Sequence, residues 1–306
     1  RALTSPDSPL YVPLRPDPGL LRFLTGFARR STARAWRRAM RSYVPVNVRA
    51  HEAFDALAEQ GLPRPTDTGP GLLAAFTDDA GRRTVHEELS TIRAVGQPVE
   101  LEELTGAEAR ALVPGLSDAV VSALRLGGTS YIEPPRYLAA LARAATEAGV
   151  QIREATTALE VEGGSPRSPA AVRVAPSDPP PPDSRTPYGE DRLAPGGPVG
   201  VLTSGARERA AGHRASSGDA ERLAADVVVL ATGAWLGDLA RPFGVRMMVQ
   251  AGRGYSFTVP MGPLPTVPLY FPAQRLACTP LTGRLRVAGM MEFRRPEDRL
   301  DPRRVA

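Results

Sequence analysis

Lysine is absent from the 306 residues, so all 38 positive charges are arginine. That bias reflects codon usage rather than a function. A net charge of +5 over this length is a weak field, and it implies no nucleic-acid partner. There is one cysteine, Cys278, which excludes an internal disulfide and any cysteine-rich metal cluster. The three histidines, His51, His86 and His213, lack the spacing of metal ligands, and no metal is expected. No apolar run approaches the roughly 18 residues of a membrane span, and the longest, Val227–Trp235, reaches about half of one. The first ten residues carry no apolar signal-peptide core and no initiating Met, so a missing N-terminal piece is expected.

Proline and glycine are in excess, at 32 and 29 residues. The excess gathers in residues 163–222, with 10 Pro and 9 Gly in that stretch. Such a segment buries too little apolar surface to offset the entropy of ordering it. It reads as a disordered insertion with strand-like pieces at Ala171–Val174 and Val199–Leu202.

The signals before it are clear. Pro134-Pro135 opens a helix, Leu138, Leu141, Ala142 and Ala145 recur at helical spacing, and Gly149 closes it. Val150–Arg153 alternates like a strand. After the insertion, Asp226–Leu230 is a continuous apolar run typical of a parallel strand buried on both faces. Elsewhere, Gly71–Phe76, Ala119–Leu126, Met247–Val259, Val267–Phe271 and Leu285–Met290 read as an antiparallel sheet. Helices are predicted over Gly19 to about Gln60, over Asp79–Val95, and over Thr105–Leu112 with a Thr105/Glu108 capping box. Arg30, Arg34, Arg37, Arg38 and Arg41 share one face of the first region, a basic amphipathic pattern suited either to solvent or to an anionic membrane surface.

Ala231–Trp235, ATGAW, follows the apolar run directly. Small residues there allow a sharp turn and close approach to a ligand, though a plain strand-to-helix turn fits equally. The segment from Asp226 to Pro260, with Ser8–Phe23, Tyr131–Glu154 and Thr279–Phe293, resembles the D-amino-acid dehydrogenase family of FAD-dependent amine oxidoreductases. That group includes glycine and sarcosine oxidases. The segments fall in the family's order. Three departures stand out: no strand–GxGxxG–helix unit, no C-terminal glycine-rich segment with its carboxylate-binding Arg, and the long insertion. Gly252-Arg-Gly254 is only GxG.

The resemblance implies an α/β (α+β) fold, a partial FAD-binding Rossmann-like layer interleaved with an antiparallel substrate-domain sheet. Its parts would be 1–127, a helical region and the start of the substrate domain; 128–162 with 223–245, the FAD-binding parts; 163–222, the insertion; and 246–306, the rest of the substrate sheet. It places Thr156, Ala158, Ala231, Thr232, Gly233, Trp235 and Gly289 near FAD, with core anchoring the other reading for Trp235. Tyr255 and Tyr270 would flank the substrate cavity with Arg253 assisting, or the two phenols are ordinary sheet tyrosines. Glu292 is expected to serve structure or the cavity rim. The implied reaction is oxidative deamination of a D-amino acid to the 2-oxo acid and ammonia, with electrons passing to a membrane quinone. The alternatives are an oxygen-using sarcosine- or glycine-oxidase-like enzyme, or a truncated non-catalytic remnant. The implied location is cytoplasmic, with peripheral contact at the inner face of the cell membrane. Without the glycine-rich loop, FAD binding is expected to be weak.

Overall fold

A computed structural model describes residues 10–12, 17–67, 69–165, 168–177, 201–202 and 220–293. A short strand, β1 (Leu10–Tyr11), leads to three helices, α1 (Pro18–Arg30), α2 (Ala33–Asn47) and α3 (Ala50–Glu59). The Asp17 carboxylate caps α1, accepting from the Gly19 and Leu20 amides at 2.9 and 3.1 Å. Thr32 restarts the chain as the cap of α2, accepting from the Ala35 amide at 3.2 Å. That restart corrects the single arginine face. Arg30 closes α1, whereas Arg34, Arg37, Arg38 and Arg41 belong to α2.

The elements that follow are β2 (Thr66–Asp67), β3 (Leu72–Phe76), α4 (Asp79–Ala94), β4 (Leu101–Thr105), α5 (Gly106–Leu112), β5 (Ser122–Leu126) and β6 (Ser130–Tyr131). Next come α6 (Pro134–Glu147), β7 (Thr156–Glu162), β8 (Ala170–Pro176), β9 (Val201–Leu202), β10 (Glu221–Ala225) and α7 (Leu236–Ala240). Four strands close the described chain: β11 (Gly252–Pro260), β12 (Leu269–Phe271), β13 (Leu276–Leu281) and β14 (Arg284–Phe293).

The main sheet runs β4-β5-β3-β12-β13-β14-β11-β9, with β1 added in parallel beside the far end of β14. β3 is apolar at every position because both its faces are covered. On one face Leu73, Ala75, Ala123, Leu269 and Cys278 pack against Ala109 and Val113 from α5 and the turn after it. On the other, Ala74, Phe76 and Leu124 meet Val85 and Leu89 of α4. Far along the sheet, Phe23 of α1 packs edge-on against Phe293, ring centres 5.4 Å apart.

A second sheet runs β10-β8-β7. β8 is the strand-like piece expected at Ala171–Val174, lengthened to Ala170–Pro176, and it is built in by Ala171, Val174 and Ala175, which are buried. Val172 and Ala171 pair across to β7 and β10, so this stretch has both partners and core. Residues 166–167, 178–200 and 203–219 of the 163–222 span lie outside the described residues. A correction concerns Val150–Arg153 and Asp226–Leu230, which form no strand. Val227 and Val229 are 76% and 82% exposed. A buried parallel strand needs a neighbouring ladder for its amides, and no described segment supplies one here.

Candidate functional site

In a strand, alternate residues share a face, so Arg253 and Tyr255 point the same way from β11. Across the ladder Arg253 stands opposite Glu292 and Tyr255 opposite Gly289. Three residues on β11, Arg253 to Tyr255, thus stand against four on β14, Gly289 to Glu292. The surplus residue is Met290, whose φ of 57° lies in the left-handed region. This bulge puts Glu292 on the Tyr255 side. The Glu292 carboxylate is fully buried, and the Tyr255 hydroxyl donates to it at 2.5 Å. Arg253, 10% exposed at its side chain, holds its guanidinium 3.9 Å away. A buried carboxylate is costly unless both charge and lone pairs are answered, and these two side chains answer Glu292. Sequence reasoning did not tie Glu292 to its two partners. Counting by twos from Gly289 places it on the wrong face.

Tyr270 is not part of this group. It pairs with Ala277, which pairs with Ala288, which pairs with Ser256. That row points away from the row containing Tyr255, so the two tyrosines occupy opposite faces. Tyr270 instead lines a cavity of about 740 Å³ between the sheet and α4. Phe76, Val85, Leu89 and Ile92 form its apolar wall, and Glu88 and Arg275 bring one charge of each sign. Asp78 also reaches the cavity, but its carboxylate caps α4 through the Gly81 amide at 2.7 Å.

Two of the residues assigned to the flavin side, Thr156 and Ala158, lie on β7. Thr156 opens that strand half-buried, while Ala158 and Ala231 are exposed. α7, which follows the ATGAW turn, packs on β7. Gly233 has a φ of 55°, which glycine adopts without strain. Trp235 is 52% exposed, so it does not anchor the core. The Thr232 hydroxyl oxygen is buried and has no hydrogen-bond partner among the described residues. An orphaned buried hydroxyl beside a left-handed glycine fits a polar ligand lying across the turn. Gly289 is elsewhere, on β14, where an added methyl group would lie 2.6 Å from the Leu276 side chain and 2.7 Å from the Arg275 carbonyl oxygen.

The profile of the family described as DAO, FAD dependent oxidoreductase, matches residues 19–178 and 191–306. The chain belongs to that family. A relative from Cereibacter sphaeroides named D-amino acid dehydrogenase is 27% identical over 296 residues, covering 93% of this chain and 56% of its own length. Another of that name, from Dechloromonas aromatica, is 38% identical over 96 residues, covering 30% of this chain and 23% of its own. Among solved structures, glycine oxidase from Geobacillus kaustophilus superposes with a TM-score of 0.60 at 21% identity. It covers 84% of this chain and 58% of its own. The chain therefore spans little more than half the length of relatives aligned along most of it.

Proposed function

We propose that the chain serves the FAD-dependent oxidative deamination of D-amino acids, with the substrate held in the cavity beneath α4. The observation that carries this reading is the cavity's composition. A free amino acid is a zwitterion with an apolar side chain or a short polar one. Arg275 and the Tyr270 phenol suit its carboxylate, Glu88 suits its ammonium group, and the wall of Phe76, Leu89 and Ile92 excludes water from the remainder. Arg253 and Tyr255, occupied by Glu292, hold the sheet end in place instead of receiving substrate.

Thr232, Gly233 and the exposed backbone of Ala231 are the residues that would hold FAD, with Thr156 and Ala158 beside them. FAD supplies the two-electron oxidant for the Cα–N bond. The oxidised amine then hydrolyses in water to the 2-oxo acid and ammonia. The relatives' dehydrogenase name supports an acceptor other than oxygen, and we assign a membrane quinone. That acceptor puts the protein at a membrane face, although no described helix is long and apolar enough to cross one.

The test is flavin titration followed by turnover with D-alanine, L-alanine, glycine and sarcosine. Dye reduction is read under nitrogen and oxygen uptake in air. The expected result is dye reduction with the D-isomer, with Tyr270→Phe raising KM about tenfold and changing kcat little. Oxygen uptake with glycine or sarcosine alone overturns the reading in favour of an oxidase. No flavin uptake and no turnover mark a non-catalytic remnant.

A further inference from the structure

Charge is distributed unevenly along this chain. Residues 18–51 contain eight arginines and no acidic residue. The whole chain is +5, so everything outside that span is net −3. Among the described residues, Arg49 is the one of the eight with a carboxylate partner, Glu52 at 3.3 Å. Arg22, Arg29 and Arg30 on α1, and Arg34, Arg37, Arg38 and Arg41 on α2, are exposed and make no ion pair among the described residues. At 3.6 residues per turn the four on α2 fall within an arc of about 100°. Apolar side chains lie exposed on the same two helices: Leu21 at 67%, Phe27 at 55%, Tyr43 at 58% and Val46 at 70%. Met248, 42% exposed, abuts α1 beside Gly26 and extends that apolar surface.

We propose that α1 and α2 form a docking surface for an anionic lipid bilayer. Seven uncompensated guanidiniums repel one another, and a surface of opposite charge relieves that repulsion. A second copy of the chain would bring the same charges face to face. A phosphodiester backbone would meet the arginines but gains nothing from Leu21 and Val46. A lipid surface satisfies both features, because arginines sit at the headgroups while aliphatic and aromatic side chains enter the acyl boundary. The proposal rests on the membrane-quinone reading for its purpose, but docking itself requires neither substrate nor acceptor.

The experiment is sedimentation of the full chain with vesicles of phosphatidylcholine alone, or of phosphatidylcholine and phosphatidylglycerol in equal parts. The expected outcome is pelleting with the anionic vesicles only, with release at about 1 M salt, where screening shortens to about 3 Å. Arg34→Gln, Arg37→Gln, Arg38→Gln and Arg41→Gln together should weaken partitioning on the order of a hundredfold or more. A control with Arg83→Gln, Arg143→Gln and Arg246→Gln should bind as the parent does. Circular dichroism checks that both variants keep their helices. Phe27→Ser with Val46→Ser should weaken binding while preserving its salt dependence. Equal pelleting with both vesicles, none with either, or equal losses in the α2 and control variants overturns the proposal. So does displacement from anionic vesicles by polyuridylate at equal charge. Failure of the quinone reading is seen separately, in turnover with a soluble quinone and no vesicles.

Discussion

Tyr255 donates its phenolic hydrogen to the Glu292 carboxylate at 2.5 Å, and the acceptor has no access to solvent. Removing the carboxylate takes a shared buried acceptor from the Tyr255 hydroxyl and the Arg253 guanidinium, which is only 10% exposed. Glu292→Ala is therefore expected to cost about 3–5 kcal/mol, the range for breaking a buried pair from one side. Glu292→Gln keeps an acceptor for the phenol and should cost less. Urea denaturation of the three proteins checks this, and a loss below about 1 kcal/mol for the alanine variant contradicts it.

Gly289 tests the close approach of β13 and β14. A side chain added there would come within 2.7 Å of the Arg275 carbonyl oxygen, and that backbone atom, in the tight turn that opens β13, cannot swing aside as a long side chain can. Gly289→Ala should destabilise by about 3 kcal/mol, the upper end for overpacking. A thermal melt within experimental error of the parent would show that the ladder yields.

The helix start at Thr105 gives a pH signature. The Thr105 amide, at 2.8 Å, and then its hydroxyl, at 2.7 Å, hold the Glu108 carboxyl below its ordinary value of 4.5. A carboxyl whose folded value is depressed contributes stability above its unfolded value and loses it as pH falls through the folded one. Glu108→Gln should lower the melting temperature at neutral pH. The gap should narrow once the pH drops below about 4.5 and close at lower pH, where both side chains are neutral. A gap independent of pH would mean that Glu108 does not act through its charge.

Local chemistry made much of the fold readable. The Thr105/Glu108 box caps α5 as expected, and Pro134 and Gly149 bracket α6, Gly149 with a φ of 88°. Each of these signals is written within a few residues. Five strands of the main sheet, β3, β5, β11, β12 and β14, were legible for the same reason, through runs of apolar residues between turns, whereas β4, with the polar sequence Leu-Glu-Glu-Leu-Thr, and β13, interrupted by Pro280, were not read as strands. Asp226–Leu230 shows where this kind of reading fails. Three consecutive valines express a preference for burial, but not which neighbour will supply the ladder. Glu292 fails differently. Its face depends on Met290 adopting a left-handed conformation, and nothing in a methionine announces that. The positions of Tyr255 and Tyr270 depend on register across four strands, which is a property of the sheet and not of either tyrosine's surroundings in sequence.

The opposite orientation of those two tyrosines has a consequence for laboratory evolution. Tyr270, Ala277, Ala288 and Ser256 form one row on one face, while Tyr255 and Gly289 belong to the row beside it that faces the other way. Parity along each strand separates the two sets. A library confined to the first row can vary the chemistry on the α4 side while the Arg253–Glu292 anchor stays untouched. Random mutagenesis of the same strands would strike both faces at once and lose most variants to misfolding. The sheet thus insulates one set of heritable changes from the other.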